Sequence, residues 1–176
     1  EQGELLMQVV RMEPKTFRQR RPDGDGWSWS VKDVRVVPYR LPELVAAPDA
    51  VVYLVEGEKD ADRLASLGLV ATCNAGGAGK WRKEHSKFLR GRHVVVLPDN
   101  DDAGREHARK AVKALRGIAT DVRVVELPDL PEKGDVSDWL DAGGSVAALE
   151  DMLKEAPAAN AEPGEDEPEK KPSQTD

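Results

Sequence analysis

From residue 51 onward, short runs of valine and leucine alternate with stretches of helical periodicity, and this alternation limits the fold more than any other feature. The runs at 51–55, 69–73, 93–97 and 121–127 have strand length and are rich in β-branched residues. Between them, 58–67 and 102–115 read as helices, the second with Ala108, Ala111, Val112 and Leu115 at helical spacing. A short helix is expected near 84–89 and a last one near 145–154. Strands apolar on both faces, separated by helices, predict an α/β domain whose mainly parallel sheet is covered by helices.

The rest of the chain divides around this block. Residues 15–39 alternate in character about the turn-forming Pro22-Asp23-Gly24-Asp25-Gly26, with Trp27 and Trp29 two apart, which reads as a small β-hairpin appendage. Pro38, Pro42 and Pro48 then punctuate a connector, because proline has no backbone donor to sustain a helix or a central strand. The expected organisation is a basic appendage and connector at 1–48, the main domain at 49–155, and an acidic tail at 156–176. The tail lacks aromatic and β-branched apolar residues, so it is expected to be disordered.

Charge and cysteine usage narrow the function classes. The net charge of -7 disfavours a nucleic-acid partner until its distribution is seen. Residues 154–176 hold seven acidic and three basic side chains, which leaves only -3 for the remainder. Residues 11–40 hold eight basic side chains against four acidic ones, so the N-terminal arm is locally basic. A single cysteine, Cys73 in an apolar run, excludes an internal disulfide and a cysteine zinc cluster. No apolar run approaches membrane-spanning length, and residues 1–4 do not open a secretory signal. A cytoplasmic protein with no membrane partner is expected.

In an open α/β sheet the functional crevice lies at the carboxyl ends of the strands. Here the run 51–55 ends at Glu56-Gly57-Glu58, and 93–97 ends at Pro98-Asp99-Asn100-Asp101-Asp102-Ala103-Gly104. The run 121–127 leads on to Lys133-Gly134-Asp135. Glu56, Asp99, Asp101 and Asp135 therefore converge on one rim. Carboxylates gathered there repel one another unless a proton or cation intervenes, and oxygen ligands favour Mg²⁺ or Mn²⁺ over zinc. The plainer reading is helix capping, for which Asp is a favoured residue; Asp101 or Asp102 is a candidate for that role alone.

These residues resemble the signature of the Toprim domain: Glu56-Gly57 after one strand, Asp99-x-Asp101-x-x-Gly104 after another, then Lys133-Gly134-Asp135. The resemblance covers about 51–140 and implies a Rossmann-like Toprim fold. Toprim domains are shared by bacterial and phage primases, type IA and type II topoisomerases, OLD-family nucleases and some recombination proteins. The run Val55-Glu56-Gly57-Glu58-Lys59-Asp60-Ala61, with Asn74-Ala75-Gly76-Gly77, is most similar to the primase parts of phage primase-helicases and their plasmid or prophage relatives. Residues 27–44 resemble the segment leading into such domains.

What the resemblance implies is an Mg²⁺-dependent (or Mn²⁺-dependent) primase-type domain that makes, or supports the making of, primers from nucleoside triphosphates on a single-stranded DNA template. Glu56 is then the general acid or base, or an outer metal ligand, while Asp99, Asp101 and Asp135 hold the metal. A Toprim nuclease, or a non-catalytic metal- and DNA-binding module of a plasmid or phage replication protein, would share these residues. Complete primases add a zinc-binding module, a substantial basic N-terminal subdomain and, in some, a Walker-type helicase motif. Their absence from this sequence points to a piece of a longer protein, or to a domain working with a helicase domain or replication protein.

Weaker signals surround the site. Residues 74–81 approach a P-loop but have Asn74 and Trp81 where that motif needs glycine and a hydroxyl residue. Gly76, Gly77 and Gly79 can still let backbone amides meet phosphate beside Lys80, or simply form a tight turn. Lys59 and Arg105 are candidates for phosphate contacts or for ion pairs within the domain. Arg18, Arg20 and Arg21, with Trp27 and Trp29, offer the charge and aromatic faces that single-stranded nucleic acid prefers, or the packed face of a hairpin. His85, His93 and His107 lack metal-site spacing and read as structural or surface residues.

Overall fold

A computed structural model describes residues 4–77 and 79–159. The expected disorder at 156–176 lies outside the described residues from 160 onward. The described chain contains two sheets. The first is antiparallel, in the order β1 (Gln8–Met12), β2 (Thr16–Asp23), β3 (Gly26–Ser28). The hairpin turn falls at Gly24-Asp25 as its residues require, with Gly24 in the left-handed region at φ 56°. β3 is shorter than the sequence suggested. It ends at Ser28, and β1, which was not anticipated, supplies the third strand along the other edge of β2.

The second sheet is parallel: β4 (Val52–Leu54), β5 (Val70–Thr72), β6 (His93–Val96) and β7 (Asp121–Val124), arranged β5-β4-β6-β7. Alternation along each strand divides its side chains between two cores. Val52, Leu54, Val94, Val96 and Val122 enter one, against α1 (Leu41–Ala46) and α4 (Asp102–Leu115). Tyr53, Val95, Leu97 and Val125 enter the other. That second core is closed by α2 (Glu58–Ser66), α5 (Val136–Asp141) and α6 (Val146–Glu155). A short α3 (Lys83–Ser86) continues into a 3₁₀ turn at Lys87–Leu89. The expected α/β architecture, a helix-covered, mainly parallel sheet preceded by a small β-hairpin, is found, with β1 added to the hairpin as a third strand.

Two features fix the edges. The Arg92 guanidinium is 8% exposed and donates to the carbonyls of Leu44, Ala47 and Ala50, tying α1 to the start of β6. On β7, Arg123 donates to the carbonyls of Leu153 and Ala156, and Ala159 bonds Val122, so the chain leaving α6 covers the edge strand. No described helix is long and apolar enough to cross a membrane.

Candidate active site

The strand order decides where the crevice opens. The chain leaves β4 for β5 on one side, and the next strand, β6, lies on the other side of β4. The β4–β6 boundary is therefore the switch point at which α/β sheets open a site at their carboxyl ends. Glu56 follows β4 and Asp99 follows β6, so the two acids face each other across that boundary. Their approach depends on Gly104 in the first turn of α4. A Cβ there would lie 2.8 Å from Glu56 Oε1 and from the Asp99 nitrogen, and closer still to the Asp99 carbonyl oxygen.

The acidic cluster is short of positive charge. Burial raises the Glu56 pKa and nearby Asp101 adds to the effect; a backbone hydrogen bond from Asp99 opposes it. Glu56 Oε1 is buried and has no hydrogen-bond partner. Asp99 is pushed up to about 8, first by burial, then by Glu56, Asp60, Asp135 and Asp101. Asp60, on the inward face of α2, is 6% exposed and accepts a 2.6 Å hydrogen bond from Ser137 on α5. Burial raises its pKa too. Asp60 belongs to this cluster although it does not follow a strand; its place four residues before Leu64, on the buried side of α2, is the signal present in the sequence.

Asp101 and Asp135 sit at the rim as expected, but both cap helices. Asp101 accepts from the Gly104 amide at 2.8 Å and starts α4. Asp135 accepts from the Asp138 amide at 2.9 Å, and the Asp138 side chain returns a bond to the Asp135 amide, a reciprocal capping box that starts α5. The other Asp135 oxygen lies 3.0 Å from Lys59 Nζ. Among the described residues no three His, Cys, Asp or Glu side chains are grouped closely enough to bind an ion in this arrangement. The donors these carboxylates meet are helix amides, Ser137 and Lys59.

Asn100, between the two aspartates, joins the second and third carboxylate loops. Its side-chain amide donates to the carbonyls of Leu130 and Pro131, its backbone amide to Gly134, and its carbonyl accepts from Lys133. Asn100 was not singled out in the sequence because its role depends on a loop 30 residues away. Arg105 pairs with Asp102 at 2.9 Å, so both it and Lys59 are engaged with carboxylates.

The glycine-rich loop is held by side chains from beneath. Asn74 donates to the Gly77 carbonyl, and His107 Nδ1 accepts from the Gly79 amide at 2.9 Å. Gly76, Gly77 and Gly79 all adopt positive φ, which permits this path. Lys80 folds back over Gly76, where an added Cβ would lie 3.1 Å from its Cδ. His85 is also buried and accepts from the Arg82 amide, so His85 and His107 are structural, as read from the sequence; His93 is exposed. Arg18, Arg20 and Arg21 lie on β2 of the N-terminal sheet.

A parallel sheet with acids at the switch point between β4 and β6 defines a Rossmann-like α/β domain, and comparison with known proteins gives the family. The Toprim-like family matches residues 53–140, and the chain belongs to it. Among solved structures, a DNA primase domain from Pseudomonas aeruginosa aligns with TM-score 0.59 and 24% identity over 85% of this chain and 50% of that one. The E. coli primase catalytic core aligns with TM-score 0.56 and 23% identity over 85% of this chain and 51% of that one. A DnaG primase catalytic domain bound to single-stranded DNA aligns with TM-score 0.57 and 22% identity, covering 86% and 53%. The likeness is one of fold, and this chain spans about half the length of those three. No protein with a curated description matches it.

Proposed function

We propose that the chain is the Mg²⁺-dependent Toprim domain of a DNA primase or primase-helicase, catalysing or supporting primer synthesis from nucleoside triphosphates on single-stranded DNA. The observation that carries this reading is the buried, unpartnered Glu56 oxygen beside an Asp99 pushed up to about 8 by surrounding carboxylates. A cation among them would relieve both the repulsion and the missing bond. The donors are hard oxygens, which suit Mg²⁺ or Mn²⁺. Asp99, Asp101 and Asp135, with Glu56, would hold the ion. When bound, it supplies charge neutralisation at the nucleotide phosphates and lowers the barrier to attack.

The chain's own residues supply the rest. Glu56, whose pKa is raised by burial, is suited to accept the proton of a primer 3′-hydroxyl. As that oxygen bonds the α-phosphorus, the bond from phosphorus to the pyrophosphate oxygen breaks. Lys59 and Arg105 reach phosphate by exchanging Asp135 and Asp102 for the nucleotide, and Lys80 with the amides at Gly76 and Gly77 flanks it. A helicase domain or a replication protein is the partner expected to load this domain onto the template.

The test is extension of labelled ribonucleotides on single-stranded templates with Mg²⁺ or Mn²⁺, comparing the native chain with Glu56→Gln and Asp99→Asn. Metal-dependent synthesis lost in both variants supports the reading. Synthesis that persists in both overturns the site, and metal-dependent degradation without synthesis replaces primase by nuclease.

A further inference from the structure

Five arginines of the main domain are paired with carboxylates: Arg40 with Asp62, Arg63 with Asp141, Arg105 with Asp102, Arg109 with Glu106 and Arg123 with Asp121. On the N-terminal sheet the partners of Arg18 and Arg20 are indoles and a neutral amide. The Arg20 guanidinium carbon lies 3.9 Å from the centre of Trp27 and 5.7 Å from that of Trp29, and Arg18 lies 4.3 Å from Trp29. Gln8 Oε1 accepts two hydrogen bonds from Arg20, at 2.9 and 2.7 Å. Among the described residues no carboxylate pairs with Arg18 or Arg20.

The register explains the order. Gln8 pairs with Arg20, Val10 with Arg18 and Pro22 with Trp27, so alternation puts Arg18, Arg20 and Trp27 on one face. The rungs run Trp27, Arg20, Trp29, Arg18. Gln19 is on the opposite face, where its Nε2 approaches the Gly76 loop, so the ladder is turned away from the main domain. Arg21 shares that opposite face and donates to the Ser30 carbonyl. Trp27 and Trp29 remain 42% and 44% exposed, where tryptophans packed into a core would be covered.

Stacking on an indole fixes a guanidinium without neutralising it, and its N–H groups stay available to an anion. The face thus presents fixed, uncompensated cations alternating with exposed aromatic rings. An acidic peptide would use the cations alone. A duplex keeps its base faces stacked inside, whereas a single strand can offer phosphates to the cations and bases to the rings. We propose that this outer face binds single-stranded nucleic acid, with phosphates on Arg18 and Arg20 and bases against Trp27 and Trp29. The inference takes its class of polymer from the function proposed above but rests on different residues.

The test uses intrinsic fluorescence of the whole chain. Trp81 and Trp139 are 7% and 8% exposed, so quenching by a strand binding at the surface reports on Trp27 and Trp29. Titration with an oligo-dT strand of about 16 nucleotides is expected to quench this fluorescence to saturation. Arg18→Gln with Arg20→Gln is expected to weaken binding roughly tenfold and reduce the log–log salt slope by about 1.4, the value for two lost phosphate contacts on a single strand. Circular dichroism of that variant verifies that the sheet persists, and Arg18→Lys with Arg20→Lys, which retains charge, should recover part of the affinity. Binding without quenching, equal competition by duplex of the same length, or unchanged affinity in a folded glutamine variant would each overturn the proposal. Glu56→Gln is expected to bind dT like the native chain while losing synthesis, so the two proposals can fail separately.

Discussion

The Glu56 carboxylate occupies the space that a side chain at Gly104 would need, with Oε1 only 2.8 Å from where a Cβ would stand. The first turn of α4 and the end of β4 meet there with nothing between them. That contact brings two acids of one predicted rim together across the switch point of the sheet.

Gly104→Ala should therefore be severe. The added carbon would collide with the Asp99 backbone as well as with Glu56, so relief requires moving α4 or the loop before it. A loss of about 3 kcal/mol is expected in chemical denaturation, at the upper end of overpacking costs. Gly143→Ala tests the contrast: its Cβ meets nothing, and its cost comes from the positive φ of 107° alone.

Removing charge from the cluster should separate stability from function. Asp99→Asn and Glu56→Gln each eliminate a buried, repelled carboxylate, so in chelator their melting temperatures should exceed that of the native chain. Activity of Glu56→Gln is expected to fall roughly 10²–10⁴-fold, the range for a lost proton-transfer group, and that of Asp99→Asn to be lost with the metal. A melting temperature that drops in both variants would show that the carboxylates are already satisfied in the absence of metal.

The pH dependence of metal-free stability follows from Asp99. Its folded pKa, about 8, lies above the ordinary aspartate value of 3.8, so the folded state holds the extra proton between those limits. Stability contributed by this group is complete at low pH and is lost as pH rises toward 8. Added Mg²⁺ competes with that proton, so its stabilising effect should grow over the same window. Thermal melts at pH 5, 6.5 and 8, with and without Mg²⁺, measure both trends.

His107 gives the opposite sign. Burial, then Lys110, lowers its pKa below the ordinary 6.5, and Nδ1 must stay unprotonated to accept from Gly79. The contribution is present above pH 6.5 and is lost as pH falls through 6.5 toward the folded value. Hydrogen exchange at the Gly79 amide should accelerate there relative to its intrinsic rate, and His107→Leu should show fast exchange at every pH.

Arg92→Met should cost about 2–3 kcal/mol, because three carbonyls at and beyond the end of α1 lose a charged donor inside the protein. Equilibrium unfolding in urea measures it, with no direct change expected at the carboxylate cluster.

The sequence alone determined the parallel sheet, because Val94, Val95 and Val96 can all be buried only in a strand covered on both sides. It also determined that Glu56, Asp99, Asp101 and Asp135 follow strands, since strand ends are local properties of the chain. Strand order is not local. Only the tertiary structure put β4 beside β6, and so decided that Glu56 and Asp99 confront each other while Asp60, masked by its helical position, joins them from α2. It likewise resolved Trp27 and Trp29, whose alternation fits a buried hairpin face equally well, by matching them to Arg18 and Arg20 across a register. Periodicity states which residues share a face; which faces meet depends on contacts between residues far apart in the chain, and there packing and charge decide.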